Sequence, residues 1–445
     1  LAMWMTLAQC PRAAPAFSIR PVSIICIAAT GPACRIERPV PPKPGGPPPE
    51  PPPWMPPGEA RRTAEIPVGK AVFKPGKGLE VASADGRFSL DLSVWAQLLY
   101  TVRSEANPPA GVDPTTQTLE LRRARVVLSG KLFSPNFHYH AHLMLAPKDL
   151  AFKDGVPHRS PLFQWYTTWT RLTNLNVQAG FFWVPYARAG MLPPPRLQFV
   201  DKSAANTEFS FDLDMGVQVS SPDVASLGKL RYFAGVFMGE GYEWYKASDF
   251  GLTYMGRVEY LPLGMFDDYS EADHERAKKP RLSLGAAYAF SDRDHRTRAI
   301  SGTTFADGGT TRANNLTADL MFKIAGFSAL LDIYYRQGWR LPGDAKDMNG
   351  APVAAQAARS GIGWTAQMGI FVPRTRLEVT ARQSGVRPAR RGDTSLARLD
   401  EVGGGLGYYF FRHALKLQAD FFQTVGPGLP TGKAEQFRLQ LQAGF

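Results

Sequence analysis

The sequence predicts an all-β fold: a transmembrane antiparallel β-barrel of about 16 strands, preceded by a disordered proline-rich N-terminal segment. Three observations predict it. From Phe88 onward, apolar and polar residues alternate with period two in one segment after another. The connections between these segments are alternately short and long. The chain also closes on a strand, Phe437 to Phe445, in which positions 437, 439, 441, 443 and 445 are apolar while Arg438, Gln440 and Gln442 fall on the other face.

Composition removes several alternatives. Charged residues make up 20% and aromatics 11%, which excludes a disordered polyelectrolyte. No stretch approaches the roughly 18 uncharged apolar residues of a spanning helix, and Val22 to Ala33 is far too short, so a membrane crossing would be made by strands. The net charge of +12 is spread along the chain: residues 1 to 80 hold ten Lys/Arg against five Glu, leaving +7 for the rest. No basic run or RNA-binding signature occurs, so nucleic acid is not an expected partner. Cys10, Cys26 and Cys34 are the only cysteines, and a cysteine-free body suits an exported protein.

Residues 1 to 38 read as an export signal, with Arg20 before the apolar stretch Ser23 to Ala29 and cleavage expected near Ala33. Residues 39 to 84 read as a proline-rich periplasmic spacer, extended or simply disordered, with prolines densest from Pro39 to Pro57. Residues 85 to 445 are the expected barrel.

Strands are expected at 88–103, 118–133, 137–147, 161–172, 175–187, 213–223, 229–239 and 250–263, then at 280–292, 314–325, 327–339, 363–373, 375–387, 400–412, 414–424 and 435–445. Short turns fall at Ser134-Pro135-Asn136, Thr173-Asn174, Gly326, Arg374 and His413. Long loops fall at 104–117, 188–212, 293–313, 340–362 and 388–399, and the presumed turn at 264–279 is unusually long. An even strand count with short turns and long loops is the pattern of outer-membrane barrels, which sets the expected location as the outer membrane of a Gram-negative bacterium. About 16 strands enclose an aqueous channel, whereas about 8 fill their own interior, so transport is the expected role.

Energy fixes which face is wet, because an Arg or Lys facing lipid at mid-membrane costs about 2 to 4 kcal/mol. The lumen wall should therefore present Arg123, Arg125, Lys131, Arg257, Arg336, Arg376 and Arg382, a basic balance that favours small anions. His138, His140 and His142 project to one face of one strand, but a single line of ligands without a matching Cys or carboxylate cluster is read as lumenal polarity and not as a metal site. No cofactor is expected. An outer-membrane hydrolase is the enzymatic alternative, yet Ser129 and His138 lie in no nucleophile-elbow or triad pattern, and the chain is not read as an enzyme.

Two stretches resemble the phosphate-selective porin O and P family. One is Arg122-Arg-Ala-Arg-Val-Val-Leu-Ser-Gly-Lys-Leu-Phe133. The other runs Ala179-Gly-Phe-Phe-Trp-Val-Pro-Tyr-Ala-Arg188, then Arg196-Leu-Gln-Phe-Val-Asp-Lys-Ser203, then Asp214-Met-Gly-Val-Gln218. The resemblance implies a homotrimeric porin in outer-membrane lipid for passive uptake of small anions such as phosphate or polyphosphate. It also implies that residues 188 to 212 fold into the barrel and narrow it, making Arg188, Arg196 and Lys202 constriction candidates. This sequence departs from the family in having Trp183 where a basic residue is common, and Asp201, Glu208 and Asp212 offset the three cations. A general diffusion porin without phosphate specificity is the alternative.

Overall fold

The computed structural model describes residues 68 to 445 apart from 75, 107, 109–110, 112, 153–158, 243–250, 391–392 and 430. The expected export segment and the prolines of 39–67 lie outside the described residues. A hairpin opens the described chain, β1 (Val68–Lys74) and β2 (Gly78–Ser83). The barrel follows with β3 (Ser89–Glu105), β4 (Thr115–Lys131), β5 (Phe137–Met144), β6 (Leu162–Leu172), β7 (Leu175–Trp183), β8 (Leu213–Ser221), β9 (Leu230–Phe237) and β10 (Thr253–Tyr260). After β11 (Arg281–Asp294), a small ribbon, β12 (Arg296–Arg298) and β13 (Ser301–Thr304), interrupts the wall. The wall resumes with β14 (Thr310–Ile324), β15 (Phe327–Leu341), β16 (Gly361–Phe371), β17 (Leu377–Pro388), β18 (Leu399–His413), β19 (Leu415–Val425) and β20 (Lys433–Gly444).

Each wall strand pairs antiparallel with its neighbour in sequence, and β20 returns to β3 from Ala434↔Glu105 to Gly444↔Trp95, closing a 16-strand barrel. The terminal Phe445 completes the seam: its N–H donates to the Val94 carbonyl at 2.9 Å, and the Val94 N–H donates back at 3.0 Å. On β20, Phe437, Leu439 and Leu441 face outward while Arg438, Gln440 and Gln442 are buried on the lumen side. The same division holds on β10 and β16, whose residues alternate strictly between buried and exposed over most of their length. Exposed aromatics ring both ends, with Tyr254, Tyr335 and Trp339 near the long loops and Tyr260, Tyr408 and Phe410 near the short turns. An apolar outer band between aromatic girdles around a polar interior is the signature of an outer-membrane β-barrel.

The wall departs from the sequence reading in three places. The hairpin β1–β2 lies within the stretch expected to be a spacer without structure. Gly76 and Gly78, at φ of 75° and 90°, make its turn. β3 starts below the end of β20, and β2 pairs with that free edge from Leu79↔Leu92 to Ala82↔Ser89. Second, the register of β3 and β4 shifts between Gln97 and Leu98, so Arg122 and Arg123 are consecutive yet both reach inward. Third, β7 ends at Trp183 and not at 187, because Pro185 has no N–H to donate to a ladder.

Candidate pore constriction

The third long loop, residues 184–212, folds into the lumen. It carries α1 (Arg188–Met191), a 3-10 turn at Pro194–Arg196 and α2 (Ala204–Phe209). Ser203 caps α2, accepting the Asn206 N–H at 3.1 Å, and its hydroxyl also meets Thr365 Oγ1 of β16 at 2.7 Å. The wall is shaped for this loop. Lumen-facing Gly363 and Gly369 of β16 lack side chains where a Cβ would lie 2.6 Å from the Phe209 ring and 2.1 Å from Gln198 Nε2.

From Leu197 to Asp201 the loop runs along β19 and β20. Lys416 Nζ donates to the Leu197 carbonyl at 2.7 Å, Gln418 Nε2 donates to the Gln198 carbonyl at 2.7 Å, and the Val200 N–H donates to Asp420 at 3.0 Å. Asp201 then gathers three guanidiniums from both sides of the seam: Arg123 at 3.0 Å, Arg122 at 3.3 Å and Arg438 at 2.9 Å. Burial would raise the Asp201 carboxyl, but these positive charges outweigh it and hold it below the usual carboxylate range.

The unusually long turn, 261–280, enters from the opposite end and meets the loop. The Gln198 N–H donates to Glu271 at 2.6 Å and the Glu271 N–H donates to the Arg196 carbonyl at 3.2 Å. Lys323 Nζ secures the turn through the carbonyls of Asp267 at 2.7 Å and Ala272 at 3.1 Å. Two cavities lie on either side of this partition. The one toward the long loops is about 660 Å³ and the one toward the short turns about 570 Å³; Pro194 and Leu197 face the first, Pro195 and Arg196 the second.

The candidate cations of the loop take three different positions. Arg188 is fully buried. It bonds Asp319 at 2.8 Å, Ser283 at 2.8 Å and Asp268, with Glu259 at 3.6 Å, so its guanidinium ties loop, turn and wall together. Arg196 is half exposed in the turn-side cavity, 3.2 Å from Asp267. Lys202 faces the loop-side cavity, donating to the Gly190 carbonyl and lying 4.6 Å over the Trp183 ring. Burial lowers its pKa to about 8, opposed by Asp212.

The wall cations divide as sharply. Arg257 is buried against Glu259 at 2.8 Å and Asp319 at 2.6 Å. Arg336 donates to Asn315 at 2.9 Å and to the Phe209 carbonyl at 3.2 Å, and Arg382 to Glu401 at 3.1 Å and to the Asp201 carbonyl at 2.9 Å. These three brace the inserted loop. Arg376 sits exposed at the start of β17, bonded to the Phe410 carbonyl at 2.7 Å, and Lys131 is half-buried at the end of β4. Arg123 and Arg125 line the loop-side cavity. The three histidines do share a face, His140 stacked 4.7 Å from Tyr166 and His142 edge-on to Phe163 at 4.8 Å. No cluster able to hold a metal occurs among the described residues.

Sequence reasoning missed two groups. Asp268, Glu271 and Asp273 anchor the inner turn, and their signal was an acidic run, Asp267 to Asp273, inside a connection too long for a turn. Arg159 reaches the cavity from a loop and Arg298 from the short ribbon strand β12, where no periodicity marks them.

No family model and no curated protein matches the chain. Solved structures with a similar arrangement include the outer membrane channel DcaP of Acinetobacter baumannii, at 10% identity and a TM-score of 0.49, covering 82% of this chain and 99% of that one. Others are a loop L8 deletion mutant of OmpT, an outer membrane protein of Vibrio cholerae, at 13% identity and TM-score 0.48 over 80% and 99% of the two chains, and a BenF-like porin from Pseudomonas fluorescens Pf-5, at 12% and 0.41 over 80% and 98%. None of these likenesses assigns a solute to this chain.

Proposed function

We propose that this protein is an outer-membrane channel for the passive uptake of small anions, narrowed by the inserted loop 184–212. The observation that carries the reading is the charge of the loop-side cavity. Among the described residues it is lined by seven cations, Arg122, Arg123, Arg125, Lys148, Arg159, Lys202 and Arg298, against three carboxylates, Asp149, Asp201 and Asp212. Lys202, Arg159 and Arg298 have no carboxylate at ion-pair distance among the described residues, so their charge is available to a passing solute. Basic residues in a confined aqueous path raise the local anion concentration and favour anion entry.

The roles proposed for the loop residues follow their positions. Lys202 meets the solute on the loop side and Arg196 meets it on the turn side, while Arg188 holds the constriction in shape. Phosphate is the solute that the sequence resemblance brings forward, and it serves as the reference anion. Purified protein added to a planar bilayer in symmetric KCl is expected to give stepwise current increments. A silent bilayer with folded protein present would overturn the channel reading.

A further inference from the structure

We propose that the outer face of the barrel carries, at its long-loop end, a specific site for lipid A, the phosphorylated and multiply acylated glycolipid of the outer leaflet. Long loops of such barrels point out of the cell, so this end of the wall meets that leaflet. The site lies where the wall is cut down. β16 begins at Gly361, paired with Arg336, while β15 runs on to Leu341, which leaves a notch above β16 bounded on its far side by the end of β17. A cavity of about 1180 Å³ occupies the notch. Outward-facing Tyr335, Trp339 and Ile362 line it, so it opens toward the membrane at the level of the aromatic girdle.

Arginine gives this cavity its character. Among its described lining residues five are arginines and one, Asp393, is a carboxylate. Arg336 is bound to the inserted loop and Arg340 to Asp307 at 2.6 Å, which leaves Arg387, Arg390 and Arg398. Arg387 stands on the outward face of β17 opposite Ile362, with its guanidinium 4.7 Å over the Trp364 ring. Gly385 makes room for that ring, since a Cβ there would lie 2.3 Å from it. Asp400 is shared by Arg387 at 2.5 Å and Arg398 at 3.0 Å, and the Arg398 side chain is 61% exposed. Arg390 has no carboxylate at ion-pair distance among the described residues. Forked guanidiniums at a membrane surface suit phosphate groups.

An apolar furrow continues from the notch. A second cavity, of about 530 Å³, begins at the same Tyr335 and passes over Ala286 and Ala318, whose small side chains lie between Val258, Leu316 and Ile333. Phosphate donors above an apolar furrow match one molecule that carries phosphates and acyl chains together. Free phosphate has no use for the furrow. A second copy of this chain, seated by a two-fold contact, would bring the same arginines against themselves.

The test is titration of the purified full-length protein, in nonionic detergent, with bisphosphorylated and monophosphorylated lipid A, bound lipid and protein mass being read by native mass spectrometry. The bisphosphorylated form is expected to bind about tenfold more tightly, the margin that one charge-assisted phosphate contact gives. The Arg387→Gln, Arg398→Gln double variant should lose that margin. Lys278→Gln, Lys279→Gln, which removes two exposed cations at the short-turn end, should keep it. Ala286→Leu, Ala318→Leu fills the furrow and should lower the affinity for both forms by the same factor. Equal affinity for the two forms, or an equal loss of the margin in the lysine variant, would overturn the site. Displacement of lipid A by an equal concentration of inorganic phosphate would assign the arginines to the free anion. Dissociation of an oligomer by the furrow variant, with lipid affinity unchanged, would assign the furrow to a second copy; either result overturns the lipid reading. If the arginine variant does not assemble, the furrow variant and the two lipid forms on the unmodified protein still decide the question.

Discussion

Asp201 and Arg438 meet at 2.9 Å inside the lumen, although one belongs to a long external loop and the other to the last strand, 237 residues later. The same carboxylate holds Arg122 and Arg123 across the seam, so one acidic side chain fixes the tip of the inserted loop to both ends of the barrel sequence. Asp201→Asn leaves three guanidiniums without that negative charge at the edge of the loop-side cavity. The chloride-to-potassium permeability ratio is expected to rise, read from the zero-current potential in a KCl gradient. A fall in the ratio would show that the three arginines do not face the conducting path.

Arg188 tests the structural role of a buried cation. Its removal leaves Asp268 to Arg231 and Asp319 to Arg257, so the cost stays below the about 3–5 kcal/mol of a buried pair broken outright. Arg188→Met is expected to lower the urea midpoint of the folded barrel and to make the single-channel current noisy, whereas Arg196→Met, half exposed beside Asp267, should leave the midpoint within error. Equal midpoints for both variants would contradict the difference in burial.

The close approach at β16 gives a steric prediction. A side chain at Gly369 must displace Gln198 from its bonds to Ser328 at 2.8 Å and Glu378 at 2.6 Å. Gly369→Leu is expected to push the inserted loop off the wall and change the single-channel conductance, while Gly256→Leu, on the outward face where a Cβ meets nothing, should not. The two conductances measured side by side settle the point.

Lys202 gives the pH dependence. Its pKa of about 8, lowered by burial, means that it is charged below that pH and neutral above it. Anion preference should therefore decline as pH rises from 7 to 9, and the decline should be absent in Lys202→Arg, whose guanidinium stays charged. A zero-current potential constant across this range in the unmodified protein would place Lys202 outside the conducting path.

The barrel was legible because a membrane wall leaves little freedom. Every outward residue must be apolar, so alternation persists in segments such as Leu415–Phe421 and Phe437–Phe445 regardless of what the lumen contains. Lumen-facing residues obey no such rule. Alternation could say that Arg257 and Arg382 point inward, but not that they would brace a loop, because their partners Asp319, Glu401 and the Asp201 carbonyl lie in other strands or the loop. The bulge beside Arg122 and the hairpin at 68–83 were hidden for a related reason. Both depend on where a neighbouring strand begins or shifts register, which no single segment encodes.

The most direct measurement is the zero-current potential of the purified protein across a planar bilayer with a tenfold KCl gradient at pH 7. The seven-to-three excess of cations among the described residues of the loop-side cavity predicts a potential of the sign set by chloride movement. A potential of the sign set by potassium would contradict it.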